Sequence, residues 1–568
     1  MNVGVNHAEC SAWYKCWNII LMALLVAAGC KSGNTGENKK AVSLDSLKSI
    51  IPADGGIYFK DITRQAGIDF KHSYGDDHLD NLIESDGGGA AFLDYDRDGY
   101  MDLFMTTGVF DKKVNKSHPA EGNPHNRLFR NMGNGSFRDV TREAKLTTQG
   151  YSMGVTIGDY DNDGNPDIYI SNYGPNILYH NNGNGTFSDV TDRAGVGGDD
   201  CSIGSVWFDY DNDGKLDLYV GNYIKFDLNY NLYYAPDGFP GPLAYDGEPD
   251  RLYHNLGDGK FEDVTVAMGV YQPMGRAMGV AAADYDDDGW ADIYVSNDHM
   301  ENYLYHNEKG KGFKNIAVMA GVAANEMGDA TTSMAVDFAD YNNDGKVDIF
   351  VSDDNYCSLY RNEGNGIFKD MSNISGIAQY AGQHVGWASC FFDFDNDGDQ
   401  DLFKVNGKLN HEYGEEDQLF ENDGQGNFKD SSLQHGEYFK KEYVGRGASF
   451  GDYDNDGDID LYIVNLNSYG ILLRNDGGNR NNWITFDLEG VQSNRDGIGA
   501  KVKVSAGGKD QYGIKQSASG YLSTNDPRLH FGLGKADKIE RVEIRWPSGK
   551  VQVLENVKVN QILKIKES

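Results

Sequence analysis

Seven segments of the 568-residue chain carry the pattern D-x-[DN]-x-D-G-x-x-D, beginning at Asp94, Asp159, Asp209, Asp284, Asp340, Asp393 and Asp452 and spaced 50 to 75 residues apart. Carboxylates at positions one, three and five of a loop turn inward when a glycine at position six bends the chain, and such oxygen ligands suit a hard divalent cation. The side-chain donors are then Asp94, Asp96, Asp98 and Asp102; Asp159, Asp161, Asp163 and Asp167; Asp209, Asp211, Asp213 and Asp217; Asp284, Asp286, Asp288 and Asp292; Asp340, Asn342, Asp344 and Asp348; Asp393, Asp395, Asp397 and Asp401; Asp452, Asp454, Asp456 and Asp460. A backbone carbonyl at position seven completes each shell, from Tyr100, Asn165, Lys215, Trp290, Lys346, Asp399 and Asp458. Asn342 is uncharged, so the fifth loop should hold its ion more weakly. The expected ion is Ca²⁺, at about seven sites, because Mg²⁺ resists exchanging its water shell for an all-protein cage.

A helix–loop–helix calcium site needs a bidentate Glu at position twelve. Here that position is Met105, Ile170, Val220, Val295, Val351, Lys404 or Ile463, so strands flank the loops. Each repeat reads as four strands: in the third, Val206-Trp207-Phe208, Leu218-Tyr219-Val220, Leu252-Tyr253-His254-Asn255 and Phe261-Glu262-Asp263-Val264-Thr265, with Gly-rich turns between the last two. Four-stranded units repeated seven times predict an all-β, seven-bladed propeller. Five residues before each first aspartate stands Gly89, Gly154, Gly204, Gly279, Ala335, Ala388 or Gly447, small enough for the crowded innermost strand. The seventh repeat lacks its outer strand, and Phe59-Lys60-Asp61-Ile62-Thr63 has that strand's pattern. This N-terminal strand is therefore expected to complete the last blade and close the ring.

The boundaries that follow are an export signal over 1–29, a polar tether over 30–55, the propeller over 56–478 and a small β domain over 479–568. Lys15, the apolar run from Trp17 to Ala28, and Gly29-Cys30 have the order of an export signal. Ala27-Ala28-Gly29-Cys30 resembles a bacterial lipobox, which implies lipid on Cys30 and a location in the cell envelope, periplasmic or surface-exposed, with the lipid as the only membrane attachment. A net charge of −36 excludes a generic nucleic-acid binder. Cys201, Cys357 and Cys390 read as buried thiols, with a Cys357–Cys390 bridge as the alternative. In the last ninety residues, runs such as Lys501-Val502-Lys503-Val504 alternate as strands do, and a separate all-β domain is the simplest expectation.

The Asp loops look like those of FG-GAP and VCBS repeats, including integrin α-subunit propellers. Taken with Glu84-Ser85-Asp86-Gly87-Gly88-Gly89, and with Ser493-Asn494-Arg495-Asp496-Gly497-Ile498-Gly499-Ala500, Ser519-Gly520-Tyr521-Leu522-Ser523, His530-Phe531-Gly532-Leu533-Gly534 and Trp546-Pro547-Ser548-Gly549 near the end, the chain resembles the cartilage acidic protein family, with an ASPIC/UnbV-type C-terminal domain. The resemblance implies a secreted, calcium-binding propeller. Relatives often carry cysteines in the third-blade insertion, whereas residues 222–250 have none.

That insertion is rich in aromatics, and Tyr223, Tyr230, Tyr233 and Tyr234 are candidates for stacking on a sugar or meeting a protein; the alternative is that the rings pack the insertion onto the rim. His180, His254 and His306 fall at equivalent strand positions, where other repeats place Arg130, Arg361, Glu421 and Arg474, and read as interchangeable surface residues. No catalytic set emerges. The expected function is a binding or adhesion module for a glycan or an extracytoplasmic protein. Two alternatives stay open: a polysaccharide lyase or hydrolase with a calcium-assisted site, and an envelope assembly scaffold.

Overall fold

The computed structural model describes residues 59–122, 124–230, 238–409 and 412–568. The signal, Cys30, the tether, Tyr233 and Tyr234 lie outside these residues. Among the described residues each Asp motif sits in its own four-stranded antiparallel sheet, seven in all. In the third, Ser202–Phe208 leads into the Asp209 loop, Asp217–Asn222 returns from it, and Arg251–Gly257 and Lys260–Asp263 form the outer hairpin. Each innermost strand packs against that of the next sheet, and Gly445–Gly451 of the last packs against Ala90–Leu93 of the first. The core is thus shared between neighbouring blades.

The closing strand is where the sequence puts it. Phe59–Asp61 pairs with Ile471–Asn475, Phe59 opposite Asn475 and Asp61 opposite Leu473. Asp61 Oδ1 accepts from the backbone N–H (3.1 Å) and Oγ1 (2.7 Å) of Thr63, and Thr63 Oγ1 accepts from Leu472 N–H at 2.8 Å. Asp189 and Thr191 make the same turn against Leu178 in the second blade.

Beyond Asn475 two sheets face each other. Asn482–Glu489 lies between Leu529–Gly534 and Ile562–Lys566, while Lys509–Ile514, Lys501–Ala506, Ile539–Arg545 and Val551–Val557 form the other. Val502, Val504, Val542 and Ile544 point from the second sheet into a core with Ile484 and Phe486. The sandwich has its own core, but one of its segments does not stay within it. Residues 515–528 leave this sandwich and enter the propeller axis. Gly520 N–H donates to Val336 O (2.9 Å), Val155 N–H to Leu522 O (3.0 Å), Thr524 N–H to Ala90 O (3.0 Å) and Phe92 N–H to Thr524 O (3.2 Å). Tyr521 is fully buried in the axis, its hydroxyl on Asp86 O at 2.8 Å and its ring 5.3 Å from Trp387.

Backbone groups around the axis of a ring of strands need partners, and this inserted loop supplies them. It also explains the small residues on the innermost strands: a Cβ on Gly154 would stand 2.8 Å from Ile203 O on the next blade and 3.2 Å from Leu522 Cα on the loop. Cys201, Cys357 and Cys390 are buried free thiols, so no Cys357–Cys390 bridge forms.

Candidate metal centres

Each Asp loop joins the first and second strands of a blade and is held by its own carboxylates. In the first, Asp94 accepts from Asp98 N–H (3.0 Å) and Gly99 N–H (2.9 Å), and Asp98 accepts from Tyr100 N–H at 3.1 Å. The bonds to the first aspartate recur in the other six loops. Position four is left-handed throughout, with φ of 56–61° at Arg97, Asn162, Asn212, Asp287, Asn343, Asn396 and Asn455. Asparagine adopts that conformation at little cost, which accounts for its use at five of the seven.

The ninth-position aspartates are the deepest: Asp102, Asp167, Asp217, Asp292, Asp348 and Asp460 are fully buried and Asp401 nearly so. One oxygen of each accepts from the backbone N–H of a third-strand asparagine at 2.7–2.8 Å: Asn131, Asn181, Asn255, Asn307, Asn362, Asn422 and Asn475 in blade order. The side-chain amide of that asparagine reaches back to the preceding blade's loop, donating to the position-two carbonyl at 2.7–2.9 Å; Asn181 meets Tyr95 O, and Asn131 of the first blade meets Tyr453 O of the last. Every cage is therefore hydrogen-bonded to its neighbour around the ring.

Burial pushes Asp102 up to about 9, Asp167 and Asp292 to about 7 and Asp217 to about 6. Among first-position groups, burial and then the neighbouring Asp496 raise Asp159 to about 9, and burial raises Asp452 to about 8. Carboxylates that ionise this reluctantly, clustered in one loop, form acidic groups that could hold a cation. Asp96, Asp211 and Asp454 each keep a buried oxygen that accepts no hydrogen bond. This donor set fits a hard divalent ion, which when bound would supply the positive charge that lets all four side chains of a cage ionise together. The acidic groups that can hold a metal include Asp94, Asp96 and Asp102, and Asp159, Asp161 and Asp167. In the fifth loop, Asn342 Oδ1 accepts from Asp344 N–H at 3.0 Å and its amide donates to Asp348 at 3.3 Å. Position seven adds ammonium groups in two loops, Lys215 on Asp213 and Lys346 on Asp344 (2.7 Å).

The residue just before each third-strand asparagine is the one the sequence reading missed. His180, His254 and His306 are not simple surface positions: they are half-buried, with Nδ1 3.3, 3.0 and 3.2 Å from Asp167, Asp217 and Asp292. Arg130 takes the same seat in the first blade, its Nε 2.6 Å from Asp96 and its terminal nitrogen 3.0 Å from Asp98. The signal was their common register, one residue ahead of an asparagine whose backbone N–H binds the cage.

The sandwich lies over the loops. Asp159 N–H donates to Asp496 (2.8 Å), Arg495 N–H to Asn162 Oδ1 (2.7 Å), and Arg528 to Asp452 O (2.7 Å) and Asn455 Oδ1 (2.7 Å). Lys501 pairs with Asp284 at 3.1 Å and with Asp287. His530 bridges Asn396 (2.6 Å) and Thr485 (2.9 Å), a structural role. Of the insertion's tyrosines, Tyr223 is buried with its hydroxyl 2.5 Å from Asp298, which removes its ring from any ligand surface. Tyr230 is 39% exposed and packs on Tyr245 at 5.4 Å. Packing onto the rim therefore accounts for most of the described rings.

FG-GAP-like repeats match residues 94–170, 159–220, 242–295, 284–351, 340–404 and 393–463, and the ASPIC and UnbV domain matches 490–568. Cartilage acidic protein 1 of Homo sapiens is 29% identical over 330 residues, 56% of this chain and 40% of that protein. The Mus musculus protein is 27% identical over 326 residues (56% and 41%), and the Xenopus tropicalis protein 28% over 341 (57% and 50%). The matches thus span half or less of these relatives' own length. A solved lectin from Agrocybe aegerita that recognises non-reducing terminal N-acetylglucosamine overlaps 68% of this chain and 87% of its own at 16% identity, with a TM-score of 0.38, too slight a likeness to bear on fold or ligand. Blades, loops and terminal sandwich agree with what the sequence matches give: the chain belongs to the FG-GAP-like repeat proteins of the cartilage acidic protein-like family that carry an ASPIC and UnbV domain.

Proposed function

We propose that the chain is an exported, lipid-tethered, calcium-binding propeller that binds a glycan or protein partner of the cell envelope. One observation carries the choice of surface: the loop face is covered by the sandwich and the axis is filled by residues 515–528. We assign the partner to the opposite face. Antiparallel strands put the remaining connections there, among them the described stretches 106–122, 223–230, 238–250 and 412–417. Arg446 and Tyr521 converge at the axis, but both are buried, Arg446 with its guanidinium 3.9 Å from the Trp387 ring centre, an arrangement suited to packing rather than to turning over a polysaccharide. Lipid on Cys30 would hold the propeller at the membrane and leave that face to its partners.

The test strips the full chain of metal, follows thermal unfolding with added Ca²⁺ or Mg²⁺, and then measures capture of envelope glycans and proteins by the calcium-loaded form. Support is a calcium-specific rise in the unfolding midpoint, with capture lost when residues 228–244 are replaced by a Gly-Ser linker. Unfolding indifferent to both ions would end the metal reading, and capture that survives the linker would end the choice of surface.

A further inference from the structure

The seven cages are not chemically alike. In the second, third and fourth blades the seat before the third-strand asparagine holds an imidazole; in the others it holds Arg130, Arg361, Glu421 or Arg474. His180 Nδ1 is 3.3 Å from both Asp161 and Asp167, His254 Nδ1 is 3.8 Å from Asp211 and 3.0 Å from Asp217, and His306 Nδ1 is 3.6 Å from Asp286 and 3.2 Å from Asp292. In each blade the imidazole nitrogen and two carboxylate oxygens lie within 4.8 Å of one another: His180 with Asp161 and Asp163, His254 with Asp211 and Asp217, His306 with Asp286 and Asp292.

Two further observations aim each ring at its cage. The Nδ1 atoms of His180 and His306 are buried against Asp167 and Asp292, and that of His254 hydrogen-bonds Asp217 at 3.0 Å, so in all three blades the same ring nitrogen is turned to the loop carboxylates. Each ring is also fixed edge-on by the tyrosine at loop position two, Tyr160 on His180 (6.2 Å, 74°), Tyr210 on His254 (5.6 Å, 66°) and Tyr285 on His306 (6.3 Å, 74°). A ring held in one plane presents its lone pair in one direction, as a metal ligand must.

Calcium takes oxygen and has little use for an imidazole, whereas zinc, cobalt and manganese accept mixed nitrogen and carboxylate sets. We propose that the cages of blades two, three and four are imidazole–carboxylate sites for a borderline divalent cation, while the all-oxygen cages of blades one, five, six and seven take only a hard one. This rests on the reading of the Asp loops as metal sites.

Co²⁺ is the probe, because its visible absorption and X-ray absorption report nitrogen ligands. The metal-stripped full chain is equilibrated with Co²⁺ in excess Ca²⁺, and bound metals are counted. About three Co²⁺ per chain are expected, with nitrogen in the coordination shell, and each of His180→Gln, His254→Gln and His306→Gln should remove about one. The calcium-dependent unfolding midpoint verifies that each variant is folded. Co²⁺ uptake that survives the triple substitution, or calcium uptake with no Co²⁺ retained by the unaltered chain, overturns the mixed-ligand sites and leaves the loops as calcium sites. A chain that takes up neither ion overturns both.

Discussion

The two faces of the propeller are built by opposite strategies. On one, seven short loops repeat a single hydrogen-bonding scheme, and their asparagines tie each cage to the preceding blade. On the other, connections differ in length and composition from blade to blade, and rings such as Tyr223, Phe226 and Tyr245 pack them individually. The repeated face is a stability device shared around the ring. Variation in the length of the connections is concentrated on the other side.

The largest effect that would test this contrast is the response of the metal-free chain to pH. Buried cage aspartates such as Asp102 (about 9), Asp159 (about 9) and Asp452 (about 8) hold protons in the folded state that the unfolded chain, at about 3.8, has released. Folding then takes up protons, so stability should rise as pH falls from about 9 towards 4. His180, His254 and His306, raised chiefly by their hydrogen bonds to cage aspartates, push in the same direction. Saturating Ca²⁺ should flatten the trend in thermal unfolding. A metal-free chain that loses stability steadily over this range would show that the loops are ordinary acidic turns.

Next in size is Tyr521→Ala. It empties a fully buried site in the axis and should cost about 3–5 kcal/mol in denaturant unfolding; a loss under about 1 kcal/mol would mean that the propeller stands without its inserted loop. Asn475→Ala, which removes the amide donating to Phe394 O at 2.7 Å, should cost about 2 kcal/mol because it leaves a buried carbonyl unpaired. Asn212→Gly, which keeps the left-handed backbone (φ 58°) and removes only the exposed amide's bond to Gly289 O at 3.0 Å, should cost much less, roughly 0.5 kcal/mol. Equal losses would erase the distinction between inner and outer ties. Smallest is Tyr230→Ala on the opposite face, expected within about 0.5 kcal/mol.

Much of this architecture is legible because its determinants are local and repeated. A nine-residue loop carries its donors, its turn glycine and its left-handed residue within itself, and Phe59–Asp61 announces its place by sharing the Asp-x-Thr turn of the outer strands of blades one, two and three. The inserted loop is not legible in that way. Ser519, Gly520 and Tyr521 have no periodicity, and their partners Val336, Cys390 and Asp86 are remote in sequence, so nothing nearby says that the segment leaves its own sandwich. The histidines fall between these cases. Their register was visible, but placing them on the carboxylates requires knowing that the following asparagine binds the cage through its backbone.

The blade that closes the ring joins a strand preceding the first Asp motif to three strands from the last repeat. A ribosome delivers the early strand long before its partners, and the axial loop later still. Each unfinished chain therefore carries an open ring with two bare edges and an unfilled centre. Such species invite pairing with one another, so keeping unfinished chains apart until the axial loop is made is a requirement written into the order of the strands.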